Sequence, residues 1–240
     1  MTPLVLVHGF MGGSDQWALQ KPLAADQPLI RPDLPGFGRN AALPPLDSIA
    51  GYARWVLDQL DQQGITRFDL LGHSMGGMIV QEMVRQAPDR IARLILYGTG
   101  AVGELPGRFE PIETSRHRAQ ADGPDATARR IAATWFLDRE AAAEYPACAT
   151  LAAQSSLAAI LTGLTAMQGW SGEAHLADIT APTLVLWGDG DRTYPWAQVQ
   201  TLWQTIPHSN LAVIPGCAHA VHLEKPSLFN ATVSDFLLKG

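Results

Sequence analysis

Short runs of consecutive apolar residues alternate along the chain with longer stretches in which apolar positions recur every three to four residues. Runs of four to eight residues bounded by Gly, Asp or Pro read as buried strands, and the helical periods between them read as helices. Strands are predicted at Leu4 to Val7, Leu29 to Arg31, Phe68 to Leu71, Ile91 to Tyr97, Thr183 to Trp187 and Leu211 to Ile214, all of them buried. Helices are predicted over Asp47 to Gln62, with Asp47 as N-cap, and over Met75 to Gln86, which stops at Ala87-Pro88. Two more, Pro195 to Ile206 and Pro226 to Leu238, open with proline in the first turn. Strand alternating with helix is the pattern of a parallel sheet covered by crossover helices, an α/β architecture.

Between residues 103 and 178 the alternation stops. This stretch is rich in Ala, Arg and Glu, is broken at Gly123-Pro124 and Tyr145-Pro146, and has helical periodicity without a convincing strand. A crossover needs only a dozen or so residues, so the segment reads as a helical insertion. The expected organisation is a core made of residues 1–102 and 179–240, with residues 103–178 as a cap inserted in it.

Composition narrows the function classes. The chain has 240 residues, 47% of them hydrophobic, and a formal charge of -6. The hydrophobic content supports a sizeable core. The acidic balance leaves no basic surface for many phosphates, so nucleic acid is not an expected partner. Met1-Thr2-Pro3 runs straight into Leu4 to Val7, which is too short for a membrane span and lacks the basic flank of a signal peptide. A soluble, cytoplasmic protein without a membrane partner is expected. Two cysteines, Cys148 and Cys217, form neither a disulfide framework nor a metal-ligand cluster. They are expected to be free and buried, and no metal or cofactor is called for.

The chemistry concentrates in Gly72-His73-Ser74-Met75-Gly76, a G-x-S-x-G directly after a predicted strand and before a predicted helix. That context is a nucleophile elbow: a tight turn exposes the serine, and flanking glycines let backbones approach. The helix that follows directs its N-terminal N–H groups at a developing oxyanion. A serine hydroxyl needs a base within hydrogen-bond reach, and the base needs an orienting acid. Candidate acids lie in Gly188-Asp189-Gly190-Asp191-Arg192 and a candidate base in Pro215-Gly216-Cys217-Ala218-His219, each following a predicted strand. Strand C-terminal ends are where open α/β sheets build their sites.

In this order the motifs resemble the α/β-hydrolase superfamily, in its capped esterase, lactonase and carbon-carbon hydrolase branch. The motifs are His8-Gly9-Phe10, Asp33-Leu34-Pro35-Gly36-Phe37-Gly38, Gly72-His73-Ser74-Met75-Gly76-Gly77, Trp187-Gly188-Asp189-Gly190-Asp191, Gly216-Cys217-Ala218-His219 and His222-Leu223-Glu224-Lys225-Pro226. The resemblance implies the α/β-hydrolase fold, with Ser74 as nucleophile, His219 as base and Asp191 as acid. The rival acid, Asp189, reads as a turn former. The oxyanion donors implied are the backbone N–H groups of Met75 and Phe10. His8 and His73 read as structural, as does the Asp33 to Gly38 turn, while His222 is expected to face the short helix after it.

Ser in place of Asp at the nucleophile position argues against the dehalogenase and epoxide hydrolase chemistries of related families. His8 to Gly12 is similar to the menaquinone-pathway lyase, but Met78 stands where that family tends to carry arginine. His73 stands where carbon-carbon hydrolases often have Asn. The expected function is therefore a serine hydrolase acting on a small-molecule carboxylic ester or lactone through an acyl-enzyme. Carbon-carbon hydrolysis or a lyase reaction on the same residues is the alternative, and a ligand-binding module with a vestigial triad stands behind it. In the cap, Trp135, Phe136 and Trp170 are candidates for an acyl pocket or for core. Arg116, Arg118, Arg129 and Arg130 are candidates for a substrate carboxylate or for a solvated face. The oligomeric state is left open.

Overall fold

The computed structural model describes residues 2–104 and 110–239. Its centre is a six-stranded sheet, β1 (Leu4–Val7), β2 (Leu29–Ile30), β3 (Phe68–His73), β4 (Ile91–Tyr97), β5 (Thr183–Gly188) and β6 (Ser209–Ile214). The order is β2-β1-β3-β4-β5-β6 and every pairing is parallel. Because successive side chains on a strand point to opposite faces, β1 feeds two cores. Val5 and Val7 pack with Leu70, Leu94, Leu96 and Val185 on one side. Leu4 and Leu6 pack with Leu71, Ile95, Tyr97 and Leu186 on the other.

Helices α1 (Ile49–Gln62), α2 (Met75–Gln86) and α7 (Trp196–Thr205) supply the first core. Helix α1 is capped one residue later than expected, by Ser48 rather than Asp47: the Ser48 hydroxyl accepts from the Gly51 N–H at 3.3 Å. The second core is closed by α9 (Pro226–Lys239), through Phe229 and Val233, and by Trp17 from a 3-10 stretch over Ser14–Ala25. Proline at position 22 and a non-helical Trp17 keep that stretch from becoming an α-helix, and its weak apolar period gave no sign of an element in the sequence.

The expectation that all six strands are buried needs correction at both ends of the sheet. Strand β2 is only half-buried and stops at Ile30, and β6 is exposed or half-buried up to its last residue, the buried Ile214, with Val213 43% exposed. Both are edge strands with a single neighbour, so one edge and part of one face stay uncovered.

Between β4 and β5 lie α3 (Ile112–Asp122), α4 (Pro124–Ala133), α5 (Tyr145–Ala152) and α6 (Leu157–Gln168). Helix α6 seats on the loops after β1 and β2 at Gly163, where an added Cβ would come within 2.7 Å of the Phe10 ring. The segment therefore lies over the C-terminal ends of the strands. Among the described residues, no single helix is long and apolar enough to cross a membrane.

The two positions that mark centre and edge give a direct contrast. Leu6→Ala is expected to lower unfolding free energy by about 2–5 kcal/mol, the range for a fully buried large-to-small change. Val213→Ala on β6 should shift it by less than about 0.5 kcal/mol. Urea denaturation of both variants measures this, and similar losses at the two sites would contradict the assignment of β6 as a solvent-facing edge.

Candidate active site

Ser74 occupies the turn between β3 and α2 with φ 58° and ψ −121°, a positive-φ conformation that residues with side chains avoid. Three glycines make the turn possible. A Cβ on Gly72 would lie 2.3 Å from the Gly76 oxygen, one on Gly76 would lie 2.3 Å from the Val7 oxygen, and one on Gly9 would lie 2.9 Å from the Ser74 Cβ. The Ser74 N–H donates to the Tyr97 carbonyl at 3.0 Å, and the Thr99 hydroxyl donates to the Ser74 carbonyl at 2.8 Å. The turn is thus pinned to the end of β4 from both sides.

The loop after β5 carries Asp191. One carboxylate oxygen accepts from the N–H groups of Thr193 and Tyr194 at 2.7 and 3.2 Å, and the other lies 2.8 Å from His219 Nδ1. Both side chains are out of solvent, at 0% and 1% exposure. Asp189 is engaged elsewhere, accepting from the Gly216 N–H at 2.8 Å on the exposed side of the same turn. Of the two candidate acids, the structure brings only Asp191 to the histidine. Nδ1–H of His219 faces the carboxylate, and Nε2, buried, has no hydrogen-bond partner. That Nε2 belongs to the ring lining the same small cavity as Ser74, together with Phe10, Gln16, Trp135, Cys148 and Leu223.

Three further imidazoles surround this pair, all of them buried. His8 donates from Nδ1 to the Gly9 carbonyl at 2.8 Å and accepts at Nε2 from the Leu34 N–H at 2.9 Å, so it braces the loop after β1 against the loop after β2. Asp33 adds to that brace by accepting from the Ser14 N–H at 2.8 Å. His73 donates from Nε2 to the His219 carbonyl at 3.1 Å, stacked on Tyr97 at 4.4 Å. The Tyr97 hydroxyl donates to that same carbonyl at 2.8 Å and sits 2.9 Å from His222 Nδ1. His222 lies within the short helix α8 (Val221–Glu224) rather than facing it. Burial holds His8 down to about 4 and His222 to about 3, and burial with the adjacent His219 and His222 rings holds His73 well below 6.5. All three are neutral scaffolding at ordinary pH.

Met75 opens α2, so its N–H is in the first turn and has no intrahelical acceptor. Phe10 lines the cavity, its ring edge-on to Phe37 at 5.9 Å. The structure therefore brings Ser74, Asp191, His219, Phe10, Met75 and Trp135 to one place, Trp135 with its ring 6.5 Å from that of His219.

Trp170 is not there. It lines a separate cavity of about 180 Å³ with Gln81, Glu82, Arg85 and His175, beside the second half of α2. The Trp170 carbonyl accepts from the Gly103 N–H, and neighbouring Ser171 bridges to Val102, which ties this end of the segment to the loop after β4. Phe136 is fully buried against Tyr145. The four arginines make contacts within the insertion: Arg118 and Arg130 with Glu110, Arg129 with Asp125, Arg116 with the Leu161 carbonyl and Thr165. Cys217 is buried as expected, whereas Cys148 is only half-buried and is drawn into the site wall. Among the described residues, no group of three or more His, Cys, Asp or Glu side chains is arranged to hold a metal ion. Sequence reasoning missed the place of three residues in this wall: Gln16 sits in no motif, Cys148 reads only as a free thiol, and Leu223 stands in a quoted motif without a role.

A parallel sheet that delivers a strained serine at one strand end and a His-Asp pair at two others is the architecture of the α/β hydrolases. The chain belongs to that family, whose alpha/beta hydrolase fold pattern matches residues 2–226, and it is a hydrolase by this membership. It is 30% identical to the pimeloyl-(acyl-carrier protein) methyl ester esterase of Yersinia enterocolitica, over 97% of this chain and 92% of that protein. It is 27% identical to the 2-hydroxy-6-oxo-6-phenylhexa-2,4-dienoate hydrolase of Burkholderia cepacia, over 99% and 88%. In fold it is similar to the enol-lactonase of Burkholderia xenovorans LB400, with a TM-score of 0.91 and 24% identity over 99% of this chain and 92% of that one.

The neutral histidines set a pH dependence. The unfolded chain protonates each near 6.5, whereas the folded protein does so only near 4 for His8 and 3 for His222. On acidification the unfolded state therefore takes up protons first. Each such histidine removes up to about 1.4 kcal/mol of stability per pH unit below 6.5 until its folded value is reached. The thermal midpoint should fall between about pH 7 and pH 5, and fall less steeply in His222→Phe. Equal slopes in the two proteins would count against a neutral buried His222.

Proposed function

We propose that the protein is a serine hydrolase that cleaves a small carboxylic ester or lactone. Ser74 attacks the carbonyl carbon as its hydroxyl proton passes to His219 Nε2. The N–H groups of Phe10 and Met75 receive the oxyanion, and His219 returns the proton to the leaving alkoxide. Water, deprotonated by the same nitrogen, then releases the acyl group from Ser74. Asp191 stays ionised and stabilises the imidazolium, its remaining oxygen already satisfied by two backbone N–H groups. The observation that carries this reading is the 2.8 Å Asp191–His219 contact, which leaves Nε2 as a free acceptor in the cavity of a strained serine.

Carbon-carbon hydrolysis is the second reading, supported by the 27% relative named for a dienoate. A dienoate carries a carboxylate, and among the described residues those that line the cavity of Ser74 include neither Lys nor Arg. The cavity is apolar, with Gln16, Cys148 and imidazoles as its polar edges, which favours a neutral acyl group. The 30% relative named as a methyl ester esterase points the same way.

Hydrolysis of p-nitrophenyl acetate is expected from the wild-type protein and should be abolished in Ser74→Ala. Asp191→Asn should lower kcat by roughly 10³- to 10⁴-fold, through the wrong imidazole tautomer. Turnover of ring-fission dienones with no ester turnover would select the second reading. Ligand-dependent thermal stabilisation with no turnover of either would indicate a binding module instead.

A further inference from the structure

We propose that Glu224 is a positioning residue that makes closure of the helical insertion and alignment of His219 a single event. The inference rests on the roles proposed for Ser74 and His219. Glu224 ends α8 and splits its carboxylate between two segments far apart in sequence. Oε1 accepts from the Leu137 N–H at 2.8 Å, in the insertion, and Oε2 accepts from the Ala218 N–H at 2.6 Å, next to His219.

Two neighbours extend the link. The Ala220 N–H donates to the Trp135 carbonyl at 2.9 Å. Arg192, next to Asp191, donates to the carbonyls of Phe136 and Leu137 at 2.9 and 3.3 Å. Three consecutive residues of the insertion are therefore fastened to the two loops that carry the acid and the base. Gly190 completes the fit, since a Cβ there would come within 2.5 Å of the Leu137 side chain.

The site needs to open. The free space beside Ser74 leaves about 10 Å³ for the centre of a water molecule, room for about one, so an ester enters when a wall of the cavity moves. Trp135 is in that wall, and in this proposal the Trp135 to Leu137 segment is the part that lifts. Lifting breaks the Oε1 contact and leaves the Oε2 contact holding only one end of the carboxylate. On closure the insertion returns Glu224, and with it the backbone of residues 218–220, to the position in which His219 faces Asp191. Both partners are N–H donors, so a carboxylate suits the place and an amide does not: glutamine offers one acceptor and one donor, and the donor would face an N–H.

Glu224→Gln tests this with two readouts. Amide hydrogen exchange without substrate should become faster at Leu137 and Ala218, while exchange in the central strands is unchanged. The kcat for a p-nitrophenyl ester should fall by roughly 10- to 100-fold, the scale of a small misalignment at the reacting centre, with KM little changed. Unchanged exchange, or faster exchange with unchanged kcat, overturns the proposal, and a lowered melting temperature alone marks a structural role only. Should that variant fail to fold, Arg192→Met frees the Phe136 and Leu137 carbonyls and leaves Ala218 held. Faster exchange at Leu137 with lowered kcat then supports the proposal, and unchanged kcat overturns it. A wild-type protein with no ester turnover refutes the reading of the site, an outcome that the exchange result keeps separate from the link made by Glu224.

Discussion

Ser74 sits at φ 58° because β3 must turn into α2 within one residue, and the rest of the molecule is arranged so that this turn fits. A non-glycine residue in such a conformation costs on the order of 1–3 kcal/mol and persists only where its surroundings over-determine it. Here they do so through bare backbone. Gly72, Gly76 and Gly9 bring β3, α2 and the loop after β1 closer than any side chain permits, and Tyr97 and Thr99 fix the turn to β4. The same close approach sets the first turn of α2 beside the loop of Phe10.

Parallel pairing does the remaining assembly. With every strand running the same way, the loops after β1, β3, β5 and β6 emerge at one edge of the sheet, so residues as distant as Phe10, Ser74, Asp191 and His219 converge without contact between neighbours in sequence. All four histidines around the site are buried, and their partners divide them into two kinds. His8, His73 and His222 are held neutral and spend their nitrogens or rings on the backbone and on Tyr97. His219 alone has a buried carboxylate on one nitrogen and nothing on the other. Chemistry is localised by that asymmetry rather than by the number of imidazoles.

Much of this was legible in the chain because it depends on local context. Ser74 is flagged by glycines at fixed offsets between a strand and a helix, and Asp191 and His219 by their place after two further strands. Position after β5 alone does not separate Asp191 from Asp189; the family resemblance points to Asp191, and the turn geometry sends it to His219 and Asp189 to Gly216. Where position depends on tertiary packing, the sequence carried less. Trp135 and Trp170 look alike as aromatics in a helical segment, yet one wall of the site holds the first and the far half of α2 the second. The insertion's arginines look available for an anion until Glu110 and Asp125 are seen beside them. Glu224 stands in a recognisable motif, but its two N–H partners come from Leu137 and Ala218, and no spacing announces them.

The central claim is that Ser74 is made nucleophilic by His219, held by Asp191. Peptide mapping by mass spectrometry after exposure to a fluorophosphonate tests it most directly. One phosphonyl group per chain, on Ser74, is predicted for the wild-type protein, and none at that serine in His219→Ala under the same exposure. An adduct on another residue, or equal labelling of Ser74 with and without His219, would contradict the account.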